Sequence, residues 1–171
     1  MPEAWRIVKE KHAATAFSGE SAAKTGGRWN SRGVPVVYTS STKSLAALES
    51  LVHLNPPVLF KYVAIRIQFD NALIENVPLN SLPADWQVEP PPPSSKAVGD
   101  AWVRQARSAV LALPSVIISG EPNYLLNPAH PDFKRIIIGE SERFAFDLRL
   151  LARYPRPPRQ NRGPHQSKPP R

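Results

Sequence analysis

Residues 26–40, GGRWNSRGVPVVYTS, followed by residues 44–53, SLAALESLVH, decide how this chain is expected to fold. The glycine pair allows backbone conformations and close approaches that side chains forbid. The alternation over Val34–Ser40 predicts a strand, with Val34, Val36 and Tyr38 on one face. Apolar residues at helical spacing over residues 43–54, directly after three hydroxyl side chains that can serve as N-caps, predict a helix that ends before a proline pair.

The rest of the chain predicts further strands and one more helix. The run at residues 61–70, KYVAIRIQFD, alternates cleanly. Further strands are expected over Trp5–Val8, Val116–Ser119, Arg135–Ile138 and Phe144–Leu150, a helix from about Ser95 to Val110, and a loop over residues 120–133. The sum is an α+β fold, a single domain with mixed or antiparallel sheets and a few helices, since no regular βαβ repeat is visible.

Length and composition indicate one domain over residues 1–150. The chain has 171 residues, of which 42% are hydrophobic and 21% charged, as in ordinary globular proteins. No apolar run approaches the roughly 20 residues of a membrane span, and the first residues lack the apolar stretch of a signal peptide, so we expect a cytoplasmic protein without membrane contact. The absence of cysteine excludes disulfides and thiolate chemistry.

The net charge of +8 raises the question of nucleic-acid binding. Residues 151–171 contain six basic residues and no acid, so only +2 of the eight charges remains for residues 1–150. The same segment holds six of the twenty prolines, and we expect a disordered or polyproline-like tail. A solvated tail is the simpler interpretation, and a tail that contacts nucleic acid or an acidic partner is the alternative.

Glu49 interrupts the helical pattern in an informative way. It follows Leu45 by four residues and precedes Val52 by three, so it shares the apolar face of the helix. A partly buried carboxylate needs a hydrogen-bond or cationic partner. Glu49 is therefore either a functional carboxylate or a structural one paired with His53 or an arginine.

Arg28, Tyr38 and Ser115 are candidates with equally ordinary alternatives. A guanidinium in a glycine-rich turn suits phosphate, but Arg28 could instead pack on Trp29. Tyr38 could stack on a ring of a ligand or fill the core. Ser115 follows a proline and could be a turn residue. The four histidines have no metal-ligand spacing, so no metal is expected.

Three segments in this order resemble the RES domain family, named for an arginine, a glutamate and a serine. They are GGRWNSRGVPVVYTS, SLAALESLVH and LPSVIISGEPNYLLNPAHPDF, and the similarity extends from about Trp5 to Leu150. The resemblance implies a toxin of a bacterial toxin–antitoxin pair, a fold similar to that of ADP-ribosyltransferases, and NAD+ as the substrate. The tail of residues 151–171 lies outside it.

Matched position by position, the resemblance implies that Arg28, Tyr38, Glu49 and Ser115 are catalytic. Arg28 would hold the diphosphate of NAD+, Tyr38 would stack near nicotinamide, and Glu49 would stabilise the charge that develops on the ribose. Ser115 would bind the cofactor or orient Glu49, and Asn127 is a further expected cofactor-binding residue. Water, phosphate or a protein side chain could be the acceptor.

The resemblance also implies partners. An Xre-type antitoxin would neutralise the toxin, nucleic acid would be reached only through that antitoxin, and the complex could contain a homo-oligomer. Two alternatives belong to other classes. One is a nucleic-acid-binding protein or ribonuclease-type toxin that uses the basic tail, and the other is a binding module without turnover.

Overall fold

The computed structural model describes residues 1–54 and 60–152, with side-chain surroundings through residue 150. Seven described strands form one sheet: β1 (Glu3–Lys9), β2 (Val37–Ser40), β3 (Tyr62–Gln68), β4 (Ile74–Asn76), β5 (Val110–Pro114), β6 (Pro122–Leu126) and β7 (Ile137–Phe144). Their order is β4-β5-β6-β2-β1-β3-β7, and every neighbouring pair is antiparallel except β4 and β5. This mixed sheet with a few helices confirms the predicted α+β class.

Four α-helices and four short 3-10 helices accompany the described strands. The α-helices are α1 (Glu20–Thr25), α2 (Lys43–Leu51), α3 (Pro93–Arg104) and α4 (Leu148–Ala152). The 3-10 helices cover Glu10–Thr15, Asn71–Leu73, Leu79–Ser81 and Pro131–Arg135. Helix α2 begins as the sequence predicts, because the Thr42 hydroxyl accepts a hydrogen bond of 3.0 Å from the backbone N–H of Leu45.

Strands β2, β5 and β6 bury apolar side chains on both faces of the sheet. Val37, Val110 and Leu126 belong to one core cluster, whereas Leu111, Leu125 and Val36, which directly precedes β2, belong to another. This division follows from the alternation of side chains along a strand. We call the face that carries Val36, Tyr38, Leu111 and Leu125 the Tyr38 face.

Helix α3 holds the glycine-rich turn of residues 26–30 against the Tyr38 face. Trp102 of this helix is fully buried in the same cluster as Trp29. At Gly99 the helix approaches so closely that a Cβ atom would lie 1.8 Å from the carbonyl oxygen of Trp29. Only glycine fits here without moving the helix or the turn.

Four predicted elements of the N-terminal half are confirmed, the first with longer ends and the other three with shorter ones. The opening strand is β1, and the strand of residues 61–70 is β3. The strand of residues 34–40 begins only at Val37, and the helix of residues 43–54 ends at Leu51. The proline pair expected to end the helix lies outside the described residues, as does the tail from residue 153 onward.

The C-terminal half corrects several predictions. The helix expected to reach Val110 ends at Arg104, and Val110 begins β5. Val116–Ser119 is not a strand but part of a turn, and the predicted loop of residues 120–133 contains β6. The strands expected over Arg135–Ile138 and Phe144–Leu150 are replaced by β7, which covers Ile137–Phe144, and by α4. Short apolar runs fit either helix or strand, and here long-range pairing decides.

Candidate active site

The register of three adjacent strands brings distant residues together on the Tyr38 face. Tyr38 of β2 lies opposite Leu125 of β6, and Asn123 of β6 lies opposite both Ser40 of β2 and Leu113 of β5. Opposite residues of antiparallel strands point to the same face, so Asn123 is a diagonal neighbour of Tyr38, about 7–8 Å away. Polar residues at the end of this strand group therefore share one face with Tyr38.

Glu49 of α2 reaches this group of residues. Its Oε1 accepts two hydrogen bonds, one of 2.9 Å from the Ser115 hydroxyl and one of 2.6 Å from the Asn123 side-chain amide. Among the described residues, no hydrogen bond uses Oε2 and Glu49 forms no ion pair, with His53 or with any arginine. The structural pairing that the sequence left open is absent from this part of the chain.

Ser115 lies in the turn that follows β5 and is buried. Its hydroxyl oxygen accepts hydrogen bonds of 3.1 Å from the backbone N–H groups of Ile117 and Ile118, while its backbone N–H donates to the Glu121 carbonyl at 2.9 Å. Because both lone pairs of the hydroxyl are used, its single proton points to Glu49. The Ser115 side chain therefore donates its hydrogen bond to the Glu49 carboxylate.

Tyr38 fixes the glycine-rich turn through its hydroxyl. The hydroxyl donates to the side-chain oxygen of Asn30 at 2.7 Å and accepts from the backbone N–H of Trp29 at 3.0 Å. Burial raises the pKa of this hydroxyl well above its usual range, so it stays neutral. A Cβ atom at Gly27 would lie 2.5 Å from the hydroxyl oxygen, which explains the second glycine of the pair.

Arg28 binds the proline-rich segment that precedes α3. Its Nη1 donates to the carbonyl oxygens of Trp86 at 2.7 Å and Val88 at 2.9 Å, and its Nη2 contacts the Glu89 carboxylate at 2.7 Å. Trp86 stacks on Trp29 with ring centroids 5.9 Å apart. The Arg28 side chain is 15% exposed, whereas that of Glu89 is 72% exposed.

Arg6 carries a partly buried guanidinium that the sequence reasoning missed. Strands β1 and β2 pair at Trp5 and Ser40. Arg6 follows Trp5, and its Nη1 donates a hydrogen bond of 2.6 Å to the backbone carbonyl oxygen of Tyr38. Its Nε is buried without a partner among the described residues. Burial lowers the pKa of Arg6 to about 10, so it is protonated at neutral pH.

Asn123 is the second missed residue, and Asn127 is an expected one that lies apart. Asn127 is buried, and its side-chain oxygen accepts a hydrogen bond of 3.1 Å from the backbone N–H of Ala129. It follows Asn123 by four residues, about 13 Å along an extended strand. The structure thus joins Glu49 and Ser115, places Tyr38 on the same sheet face as Asn123, and gives Asn127 no hydrogen bond with any of these residues in the described part of the chain.

Two kinds of feature are absent from residues 1–54 and 60–152. No group of three or more histidine, aspartate or glutamate side chains is arranged to hold a metal ion in this part of the chain. No helix within the same ranges is long and apolar enough to cross a membrane.

Comparison with solved structures defines the class of the fold. A chain in the crystal structure of the M. tuberculosis MbcT-MbcA toxin-antitoxin complex superposes with a TM-score of 0.64, covering 83% of each chain at 16% identity. Among curated relatives, the Prs ADP-ribosylating toxin of Sphingobium sp. (strain YBL2) is 37% identical over 153 residues, which cover 86% of this chain and 95% of the relative. A Toxin Res of Yersinia enterocolitica is 33% identical over 148 residues, 85% and 97% of the two chains.

The model of the RES domain matches residues 3–147, nearly all of the described chain. The chain belongs to the RES domain family, and its relatives place it among the RES-type toxins.

Proposed function

We propose that this chain is a toxin that cleaves NAD+ at the bond between nicotinamide and ribose, with Glu49 as the central catalytic residue. The observation that carries the proposal is the state of the Glu49 carboxylate. One oxygen is held by Ser115 and Asn123, and the other makes no hydrogen bond with a described residue. A carboxylate held in one orientation can stabilise positive charge that develops in a transition state.

The chemistry assigned to Glu49 follows from the bond that breaks. The electron pair of the glycosidic bond leaves with nicotinamide, and positive charge develops on the ribose. Oε2 of Glu49 accepts a hydrogen bond from the ribose 2′-hydroxyl and stabilises that charge. The ring of Tyr38, whose hydroxyl is engaged by the turn, contributes its face to nicotinamide.

Two arginines are available for the diphosphate of NAD+. Arg28 keeps in this proposal the role expected from the sequence, because its Nη2 contacts an exposed carboxylate, that of Glu89, which a phosphate would replace while the carbonyl oxygens of Trp86 and Val88 hold Nη1. Arg6 adds a guanidinium whose Nη1 binds the backbone carbonyl oxygen of Tyr38 and whose Nε has no partner among the described residues. Charge-assisted bonds to phosphate oxygens are among the stronger hydrogen bonds, so either arginine would raise affinity.

The name of one relative supports a choice among the three possible acceptors. One curated relative at 37% identity is a Prs ADP-ribosylating toxin, and this favours transfer of ADP-ribose to a protein over hydrolysis or phosphorolysis. In the transfer, a nucleophile on the target forms the new bond to the ribose and loses its proton. The same proposal includes a neutralising antitoxin of the Xre type and a homo-oligomer within the complex that it forms. The solved toxin-antitoxin complex with a similar fold supports an antitoxin partner.

Product analysis tests the proposal. Purified protein is incubated with NAD+ alone, with phosphate, and with a candidate acceptor protein, and nicotinamide and ADP-ribosyl products are identified by mass spectrometry. Glu49→Gln keeps the shape of the side chain and removes its charge, so we expect nicotinamide release to fall about 100-fold or more. Glu10→Gln, at an exposed glutamate of a 3-10 helix, is the matched control. Full cleavage of NAD+ by the Glu49 variant would falsify the assignment.

Deletion of residues 151–171 separates this proposal from the nucleic-acid alternative. The enzyme proposal predicts that NAD+ consumption survives the deletion. Binding of nucleic acid through the basic tail predicts an affinity that depends steeply on salt and is lost with the tail.

A further inference from the structure

Asn123 lies at a central position of the sheet, between β2 and β5. Its backbone pairs with Ser40 on one side and Leu113 on the other, and its side chain projects from the Tyr38 face toward α2. Neighbouring positions on this face carry the buried apolar residues Leu113 and Leu125. A polar amide among such neighbours calls for a physical explanation.

The amide donates to the same oxygen of Glu49 that Ser115 uses. The Nδ2–Oε1 distance is 2.6 Å, and the Ser115 hydroxyl reaches Oε1 from another element at 2.9 Å. Glutamate has three rotatable side-chain bonds, and one donor would leave it free to swing. Two donors from different elements fix the carboxylate and leave Oε2 available.

The other half of the amide supports a role directed at Glu49. The Oδ1 atom of Asn123 is buried and has no hydrogen-bond partner among the described residues. If the amide were reversed, Oδ1 would face the Glu49 carboxylate and repel it, so the bond to Glu49 sets the orientation. The protein tolerates an unsatisfied buried acceptor, which is unfavourable for folding, in order to place a donor next to Glu49.

We infer that Asn123 is a positioning residue that, with Ser115, holds Glu49 so that Oε2 faces the ribose of NAD+. This inference rests on the proposed function, because the role of Glu49 is part of that proposal. Asn123 contacts Glu49 and not the substrate. Its loss therefore lowers kcat and leaves the KM for NAD+ nearly unchanged.

Two variants distinguish positioning from packing. Asn123→Ala removes the donor, and we expect kcat to fall about 10- to 100-fold with KM within about threefold of wild type. Asn123→Asp fills the same volume but places a second carboxylate beside Glu49, so we expect a larger loss of kcat than with alanine. A packing role predicts the opposite order, because aspartate leaves no cavity. Asn76→Ala, at an exposed position of the edge strand β4, is the matched control.

A spectroscopic measurement separates this inference from the proposed function. The side-chain amide signal of Asn123 in a proton–nitrogen NMR spectrum should shift in Glu49→Gln, while that of Asn76 stays in place. An unshifted Asn123 signal, or a folded Asn123→Ala variant with wild-type kcat, overturns the inference. If the wild-type protein does not consume NAD+, the proposed function fails, and the amide signal still decides whether Asn123 holds Glu49.

Discussion

Replacement of Ser115 by alanine should impair the proposed reaction more than the loss of an ordinary hydroxyl. A neutral hydrogen bond contributes about 0.5–1.5 kcal/mol, whereas one to a charged group contributes about 1.5–3 kcal/mol. The Ser115 hydroxyl donates to the Glu49 carboxylate, so the larger range applies. It corresponds to a fall in kcat of roughly 10- to 150-fold.

The same substitution should also destabilise the fold. The backbone N–H groups of Ile117 and Ile118 lose their acceptor, and both residues are partly buried. Unsatisfied groups of this kind cost about 1–3 kcal/mol in the free energy of unfolding. Water that reaches the partly exposed turn would reduce this loss toward the lower end of the range.

Both effects are measurable on the purified protein. Initial rates of nicotinamide release give kcat and KM, and urea unfolding gives the free energy of unfolding. Ser119→Ala, at an exposed position of the same turn, is the control and should match wild type in both measurements. If Ser115→Ala keeps kcat within about threefold of wild type, the reasoning about Glu49 is wrong.

Three further substitutions test other contacts of the described chain. Glu89→Gln removes the carboxylate that competes with NAD+ for Arg28, so the KM for NAD+ should fall severalfold, most clearly at low salt. An unchanged KM would mean that Arg28 does not bind the diphosphate. Arg6→Lys replaces the planar guanidinium by a point charge, and the KM for NAD+ should rise about tenfold, as one charge-assisted bond is lost; kinetics equal to wild type would exclude Arg6 from the site. Gly99→Ala forces a Cβ atom against the Trp29 carbonyl, and urea unfolding should show a loss of about 1–3 kcal/mol or more, whereas a stable variant would contradict the close packing of α3.

The sequence predicted those parts of the fold that depend on local signals. Helix α2 has a helical apolar pattern and a hydroxyl N-cap, and both are visible without a structure. Strand β3 alternates and is bounded by polar residues, so its limits were nearly right. Strand β7 was misplaced because it lies at the edge of the sheet with most residues exposed, which leaves only a weak alternation.

The site could be predicted only in part for a related reason. Glu49 is visible because a carboxylate on an apolar helix face is an anomaly within one element. Arg6 and Asn123 each look ordinary in their own strands, and their partners Tyr38 and Glu49 are 32 and 74 residues away in the chain. No local pattern reports contacts at such separations, so only the pairing of the strands reveals them.

Strand register is therefore the property on which the site depends most. Pro114 of β5 lies opposite Pro122 of β6, and because proline has no backbone N–H, neither residue can donate to the ladder. One more backbone bond follows, from the Ser115 N–H to the Glu121 carbonyl oxygen at 2.9 Å. The chain then turns through residues 115–121, which frees the Ser115 hydroxyl to bind backbone N–H groups and Glu49. A slip of one residue between β2 and β6 would move Asn123 to the opposite face of the sheet and leave Glu49 with a single donor. The two prolines, which look like mere interruptions in the sequence, thus define the point at which the sheet ends and the proposed site begins.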